Sequence, residues 1–256
     1  MKRKRIFLTG AAGGFGQEFI AQYLKQGHSL QVTDVSEEAL QVLKEKFAGE
    51  NIEYLKPCSL SDAKAVEKWL AAKPFSELPD LVILNAGVAN LGTFESFSWE
   101  KHRDLMEVNL MAPMRLCYYF LPFFKDRGWG QFLLISSVAG QLGPGYLASY
   151  ASSKFGLRGF GEAMMMELED SPVKVSLAFP FFTNTKILDS PASGDEPWSQ
   201  LPRQLVENPV DVVKQMITET EKNKSHIFPG PVSPVLSTLH RVFPPAITFI
   251  RKLAGV

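Results

Sequence analysis

Tyr150 and Lys154 stand at i and i+4 in the run Tyr-Ala-Ser-Ser-Lys, a spacing that puts both side chains on one face of a helix. A phenol that titrates near pH 10 is a poor base at neutrality. A neighbouring ammonium favours its phenolate, and a place in the first turn of a helix acts the same way. The pair therefore suits proton exchange with an alcohol or carbonyl oxygen, with a lowered pKa expected for Tyr150. Ser137, in Ile135-Ser136-Ser137-Val138-Ala139-Gly140, offers a hydroxyl that can bond the same oxygen and stabilise charge developing on it. Asn109 falls inside a predicted helix, where Asn is disfavoured and needs a reason.

A second group of residues has the character of a phosphate cradle. Thr9-Gly10-Ala11-Ala12-Gly13-Gly14-Phe15-Gly16 lies between a predicted strand and a predicted helix. Glycines there let the backbone turn tightly and approach a pyrophosphate, whose charge is drawn to the helix N-terminus. Asp34, at the end of the second predicted strand, suits a ribose 2′-hydroxyl and repels a 2′-phosphate. With no Arg or Lys in the loop or beside Asp34, NAD is expected over NADP. Asn85-Ala86-Gly87 ends another strand, and its small pair leaves room for a cofactor to come close.

These residues need elements to position them. Short apolar runs at 6–9, 29–34, 51–56, 81–85, 131–136, 173–179 and 226–228 read as strands. Helical patterns alternate with them at 14–25, 36–47, 62–72, 98–126, 149–170 and 209–222, with Ser36 and Ser98 as N-caps and a break expected near Pro113. That alternation predicts an α/β fold: one Rossmann-type, doubly wound parallel sheet of about seven strands flanked by helices. Ligands of such sheets bind beyond the carboxyl ends of the strands, where Ser137 and Asn85 fall. The 256 residues form a single domain, with a Pro- and Ser-rich lid over 181–208 and an amphipathic tail over 232–256.

Bulk properties narrow the field. Net charge is zero, so nothing favours nucleic acid, and the basic run at 2–5 reads as a solvated lead-in to the first strand. The two cysteines, Cys58 and Cys117, have no metal-ligand spacing and imply no disulfide framework. A cytoplasmic protein without metal is expected, with no secretory signal and no membrane span.

Taken together, these motifs resemble the short-chain dehydrogenase/reductase family over residues 5 to 228. The Thr-Gly-x-x-x-Gly-x-Gly motif falls on residues 9 to 16, the Asn-Ala-Gly motif on 85 to 87, and the catalytic tetrad on Asn109, Ser137, Tyr150 and Lys154. The resemblance implies that Tyr150 is the acid/base and that Lys154 also holds the nicotinamide ribose. It implies further that Ser137 orients substrate and that Asn109 positions a water in a proton relay. Gly10, Gly13 and Gly16 also satisfy the spacing of an extended, sugar-nucleotide-modifying branch. The short gap from Ser137 to Tyr150, the Asn-Ala-Gly motif and the modest length point to the compact one-domain branch instead. Two positions depart from the family pattern: Ser59-Leu60 stands where Asp-Val usually contacts the adenine, and Pro180-Phe181 replaces Pro-Gly. Thr185 aligns with the Thr that meets the nicotinamide amide.

The segments after the fourth, fifth and sixth strands carry Ala89, Leu91, Leu142, Tyr146, Phe181, Phe182, Ile187, Leu188 and Trp198. Such a lining suits a lipophilic alcohol or ketone. The expected activity is NAD-dependent interconversion of a secondary alcohol and a ketone by a homodimer or homotetramer. Two other readings stand beside it: a cofactor-binding regulatory protein without turnover, and a membrane-associated lipid-binding protein. In the tail, Val235, Leu236, Leu239, Val242 and Phe243 form one apolar face, with His240 and Arg241 beside it. That face could rest on a membrane, cover the pocket or meet another subunit.

Overall fold

The computed structural model describes residues 3–185, 192–193 and 206–242. Strands β1 (Arg5–Thr9), β2 (Ser29–Thr33), β3 (Ile52–Tyr54) and β4 (Leu81–Leu84) are followed by the short β5 (Leu91–Gly92), then by β6 (Gly130–Ile135), β7 (Val173–Ala178), the short β8 (Ala192–Ser193) and β9 (His226–Ile227). The helices are α1 (Gly14–Lys25), α2 (Glu37–Lys46), α3 (Ala63–Ala71), α4 (Trp99–Met106), α5 (Ala112–Arg127), α6 (Ala148–Glu167), α7 (Pro209–Glu221) and α8 (Val232–Val242). Seven strands form one parallel sheet in the order β3-β2-β1-β4-β6-β7-β9. The expected single-domain α/β architecture is the one observed.

The sheet is buried on both faces, and side-chain alternation divides its residues between two cores. Ile6, Leu8, Leu81, Ile83, Leu133 and Ile135 point to one side, where Phe19, Ile20 and Tyr23 of α1 and Val213, Met216 and Ile217 of α7 meet them. Phe7, Val82, Leu84, Phe132 and Leu134 point to the other, against Leu116, Phe120 and Phe124 of α5 and Leu157 of α6. The second core is aromatic: the Phe120 ring lies within 5.1–6.0 Å of the rings of Phe7, Phe75, Tyr119 and Phe124.

Local signals mostly work as expected. The Ser36 hydroxyl accepts from the Ala39 N–H at the start of α2, and Asp62 accepts from Lys64 and Ala65 at the start of α3. One expectation is corrected. Ser98 occupies the N-cap position of α4, but its side chain caps no helix N–H. The break expected near Pro113 takes the form of a π-turn at Glu107–Met111 between α4 and α5, and Pro113 falls in the first turn of α5.

Two features escaped the sequence pattern. Leu91–Gly92 pairs in parallel with Ala192–Ser193, tying the segment after β4 to the expected lid. Strand periodicity cannot reveal an element of two residues. The first part of the tail forms α8. Its expected single apolar face is divided, with Val235 and Val242 exposed while Leu236 turns inward. Of the expected pocket residues, Ile187, Leu188 and Trp198 lie outside the described residues, as do most of the 181–208 lid and the tail from 243.

Phe120→Ala should destabilise the fold by about 3–5 kcal/mol, because it empties the centre of the aromatic core. Urea unfolding followed by far-UV circular dichroism measures this, and a loss below about 1 kcal/mol would mean that the cluster does not organise that face.

Candidate functional site

The sheet order reverses between β1 and β4, and the ends of these two strands open a crevice. Side-chain bonds lock the crevice together. The Thr9 hydroxyl accepts from the N–H groups of Asn85 and Ala86 at 3.1 Å, and the Asn85 amide donates to the carbonyls of Thr9 and Gly10 at 3.0 Å. Gly10 has φ +66°, and a Cβ there would stand 2.8 Å from the Ala86 Cα, so this turn requires glycine. Thr9 and Gly16 therefore support the loop from behind and do not line the crevice, whereas Gly10, Gly13, Gly14 and Phe15 do. No side chain caps the N-terminus of α1, so its first N–H groups remain available to a phosphate. Gly14 faces Thr185 so closely that a Cβ would meet the Thr185 Cγ2 at 2.7 Å.

Asp34 does two things. Its carboxylate accepts from the Ala12 N–H and from its neighbour Val35, both at 2.8 Å, and it also lines the cleft. It thus fastens the glycine loop to the end of β2 while lining the same cleft. Ser59 and Leu60 line the same end, with the Ser59 hydroxyl 3.0 Å from that of Ser61. A dinucleotide fits this arrangement: a glycine cradle, a free helix N-terminus and an acidic acceptor lie in sequence along one wall.

Ser137, Tyr150 and Lys154 meet at the centre of the cleft. The Ser137 hydroxyl donates to the Pro180 carbonyl at 3.5 Å. Ser137 also accepts from the Ala139 N–H at 3.1 Å, which fixes its direction. Lys154 is 3% exposed; its Nζ donates to the Ile135 carbonyl at 2.9 Å and lies 5.6 Å from the centre of the Tyr150 ring. Asn109 sits in the π-turn, fully buried. It accepts from the Val88 N–H and donates to the Val88 carbonyl, both at 2.9 Å, and bonds the Ser153 hydroxyl at 3.1 Å. That is the reason an Asn stands in the helix: it clamps the strand-four loop to α6. A Cβ on Gly87 would lie 3.4 Å from Asn109 Oδ1 and 3.5 Å from Lys154 Nζ, so the three crowd one corner.

The electrostatics differ from the expected pattern. Burial pushes the Tyr150 phenol up to about 12, against a smaller downward pull from the nearby Ser137 hydroxyl. Burial also lowers Lys154 to about 8. The expected depression of Tyr150 by Lys154 is absent, because the ammonium faces the ring and the Ile135 carbonyl. Desolvation outweighs attraction in this dry corner.

The cleft has a volume of about 940 Å³. Beyond the central trio it is lined by Ala89, Leu91, Leu142, Pro180, Phe181 and Phe182, as expected. Phe181 does not adopt a left-handed backbone, so the missing glycine costs nothing there. Tyr146 does not line the cleft. It is 39% exposed with φ +63°, and the adjacent Leu147 turns inward instead. Pro144 and Val108 also line the space and were not expected to do so, while Leu236 and His240 line it in keeping with one of the three placements open to the tail face. For Leu236 and His240 a signal existed, since their i, i+4 spacing puts them on one helix face. A further support was missed. His102, buried on α4, bonds the Phe94 carbonyl at 2.9 Å through Nε2 and the hydroxyl of Ser149, next to Tyr150, at 2.7 Å through Nδ1.

Comparisons agree with this geometry. The family profile described as short chain dehydrogenase matches residues 4–195. An uncharacterized oxidoreductase of Mycobacterium tuberculosis is 30% identical over 198 residues, which cover 75% of this chain and 78% of the relative. Two solved structures share the fold. A short chain dehydrogenase/reductase from Burkholderia phymatum in complex with NAD has a TM-score of 0.76 at 24% identity, covering 88% of each chain. A short-chain dehydrogenase from Sphingobium yanoikuyae in complex with NADPH has a TM-score of 0.80 at 20% identity, covering 99% of this chain and 96% of that one. The chain belongs to the short-chain dehydrogenase/reductase family, a class of oxidoreductases that work with a nicotinamide cofactor.

The buried ammonium makes a thermodynamic prediction. Folding lowers the Lys154 pKa from 10.5 to about 8, so below pH 8 the folded chain carries a desolvated charge that the unfolded chain does not. Between pH 8 and 10.5 the unfolded state binds more protons, and stability rises with pH. Lys154→Met should therefore be more stable than wild type at pH 7, and the gap should narrow by pH 9.5. Urea unfolding of both proteins at the two pH values measures it. Taking the difference removes the tyrosines and cysteines that titrate in the same range, and a gap independent of pH would contradict the assignment.

Proposed function

We propose that this protein is an NAD-dependent dehydrogenase or reductase that interconverts a lipophilic secondary alcohol and its ketone, with Tyr150 as general acid/base. The observation that carries this reading is the gathering of Ser137, Tyr150 and a buried Lys154 in one cleft beyond the strand ends. A bound nicotinamide supplies or accepts hydride at the reacting carbon. Ser137 donates to the substrate oxygen, and Tyr150 gives that oxygen a proton in reduction or removes one in oxidation. Held as a phenol by burial, Tyr150 enters the reductive direction already protonated. The Lys154 ammonium stands where it can bond a ribose hydroxyl and stabilise a forming phenolate. Asn109 acts by holding Val88 and, through Ser153, the first turn of α6.

Asp34 supports NAD as the cofactor, since its free lone pairs suit a 2′-hydroxyl and its charge opposes a 2′-phosphate. Among the described residues, the Lys and Arg side chains that line the cleft are Lys101 and Lys154, neither of which is in the glycine loop or next to Asp34 in sequence. Neighbours of this fold are described with either NAD or NADPH, so the choice rests on Asp34. The apolar walls support a lipophilic substrate. For the expected homo-oligomer, the exposed Tyr118 on α5 and Phe155 and Met166 on α6 supply apolar surface that such an assembly would cover. No helix of the described residues is long and apolar enough to cross a membrane.

Tyr150→Phe should reduce kcat at least a hundredfold while changing the NAD dissociation constant less than threefold, as the hydroxyl carries the proton and the ring remains. Turnover on lipophilic secondary alcohols and ketones, followed at the absorbance of reduced nicotinamide, checks this. Retention of more than a few per cent of the wild-type kcat would remove Tyr150 from the acid/base role.

Asp34→Ala should lower the kcat/KM preference for NAD over NADP by tenfold or more, since a charge-assisted bond of about 1.5–3 kcal/mol disappears with the repulsion of phosphate. Affinity for both cofactors should also fall, because the Ala12 N–H loses its acceptor. A wild type that prefers NADP would defeat the NAD assignment.

A further inference from the structure

Helix α8 has its polarity reversed for an element at the protein surface. At about 100° per residue, Ser233, Leu236, Ser237 and His240 share one side of it, and Val235, Thr238, Leu239 and Val242 share the other. The first side turns inward: Ser233 is fully buried, Ser237 Oγ and His240 Nδ1 are buried, and Leu236 and His240 line the cleft. The second side faces out, with Val235 62% and Val242 76% exposed and Leu239 between them half-buried. A surface helix ordinarily buries its apolar stripe and shows charge to water. Here two serines and a histidine are inside, and the outward stripe holds no charged residue. Two bonds at the start of the helix fix this rotation. The Ser233 hydroxyl donates to the Phe179 carbonyl at 2.5 Å, and the Val232 N–H donates to Glu207 Oε1 at 3.2 Å.

The charge of this region is equally one-sided. From Lys222 to Val256 the chain has five Lys and Arg residues and no Asp or Glu, although the two kinds balance at 27 each over the whole sequence. Arg241, beside Val242, is exposed. Beyond the described residues the sequence continues with Ile247, Phe249, Ile250 and Leu253 beside Arg251 and Lys252. Apolar side chains set among cations, with no acidic neighbour, complement the boundary of an anionic bilayer: hydrocarbon takes the first and the headgroups take the second. A second copy of this chain is the poorer match, because two such surfaces bring like charges together.

We propose that the outward face of α8, together with residues 243–256, docks this protein on a membrane surface that contains anionic lipid. The inner side of the same helix is cleft wall, so docking brings the cleft up to the bilayer, where an apolar substrate is concentrated. That consequence for substrate supply rests on the oxidoreductase reading; the docking itself does not.

The test is flotation of the purified full chain with vesicles of phosphatidylcholine, alone or with phosphatidylserine as about one lipid in three, over a range of salt. Wild type should bind the anionic vesicles at least tenfold more tightly than the neutral ones, and less tightly as salt rises. Val235→Asp combined with Val242→Asp should weaken that binding at least tenfold, and so should Arg251→Gln combined with Lys252→Gln. Val42→Asp combined with Val210→Asp, at exposed valines of α2 and α7, adds the same charge elsewhere and should leave binding within twofold of wild type. Far-UV circular dichroism and the thermal midpoint should match wild type in each variant, which separates lost docking from a lost fold. A wild type that ignores anionic vesicles, or α8 aspartates that leave binding unchanged, would overturn the proposal. Aspartates that lower the mass seen by light scattering without lowering vesicle binding would also overturn it, and would make the face a contact between copies. None of these readouts uses turnover, so a failure of the oxidoreductase reading leaves them intact.

Discussion

The reversal of strand order between β1 and β4 is the constraint on which the site depends. Two parallel strands that leave in opposite directions around the sheet separate their following loops, and the crevice between those loops is the space a ligand enters. Such a crevice would be soft if the loops were joined only by backbone pairing farther down. Here Thr9-Gly10 and Asn85-Ala86 are joined by four hydrogen bonds across the gap, each satisfying polar groups that the end of a strand would otherwise leave bare. The glycine loop, the Asn-Ala-Gly turn and the cleft floor thus move as one body. Asp34 extends the same logic to β2 by holding Ala12.

A second network positions the chemistry. Asn109 grips Val88 on one side and Ser153 on the other, and Ser153 bonds the Tyr150 carbonyl. His102 reaches Ser149 from α4. The start of α6 is therefore held from two directions, which explains how a tyrosine in a first turn can keep a fixed direction. The widened π-turn is what points Asn109 inward at the necessary place. Burial then sets a tension within the trio, raising the phenol and lowering the ammonium. The unliganded cleft keeps the proton on Tyr150 and weakens the hold of Lys154 on its own. A polar ligand that enters the corner changes both environments at once, so the electrostatics of reaction belong to the filled site.

Much of this was legible in the residues. The seven main strands and the helices between them follow from alternation of short apolar runs with amphipathic stretches, because a doubly covered parallel sheet demands that pattern. Gly10, Gly13 and Gly14 of the glycine loop, with Asp34, Asn85, Ser137, Tyr150, Lys154 and Thr185, reach the cleft, since each lies beyond a strand end or on the first turns of α6. Tyr146 could not be placed in the same way. Its inward or outward direction depends on a left-handed backbone angle that sequence spacing does not encode. Leu147 occupies the wall because that turn rotates the chain by one residue.

Sequence by itself determined the fold and the family, because these depend on local periodicity and on motifs whose residues are near one another in the chain. Tertiary structure alone decided the direction of the pKa shifts, the role of Asn109 as a clamp, the β5–β8 pairing and the entry of Leu236 and His240 into the cleft. Each of these depends on burial or on contact between segments far apart in sequence, and neither desolvation nor a long-range contact leaves a periodic trace in the order of residues.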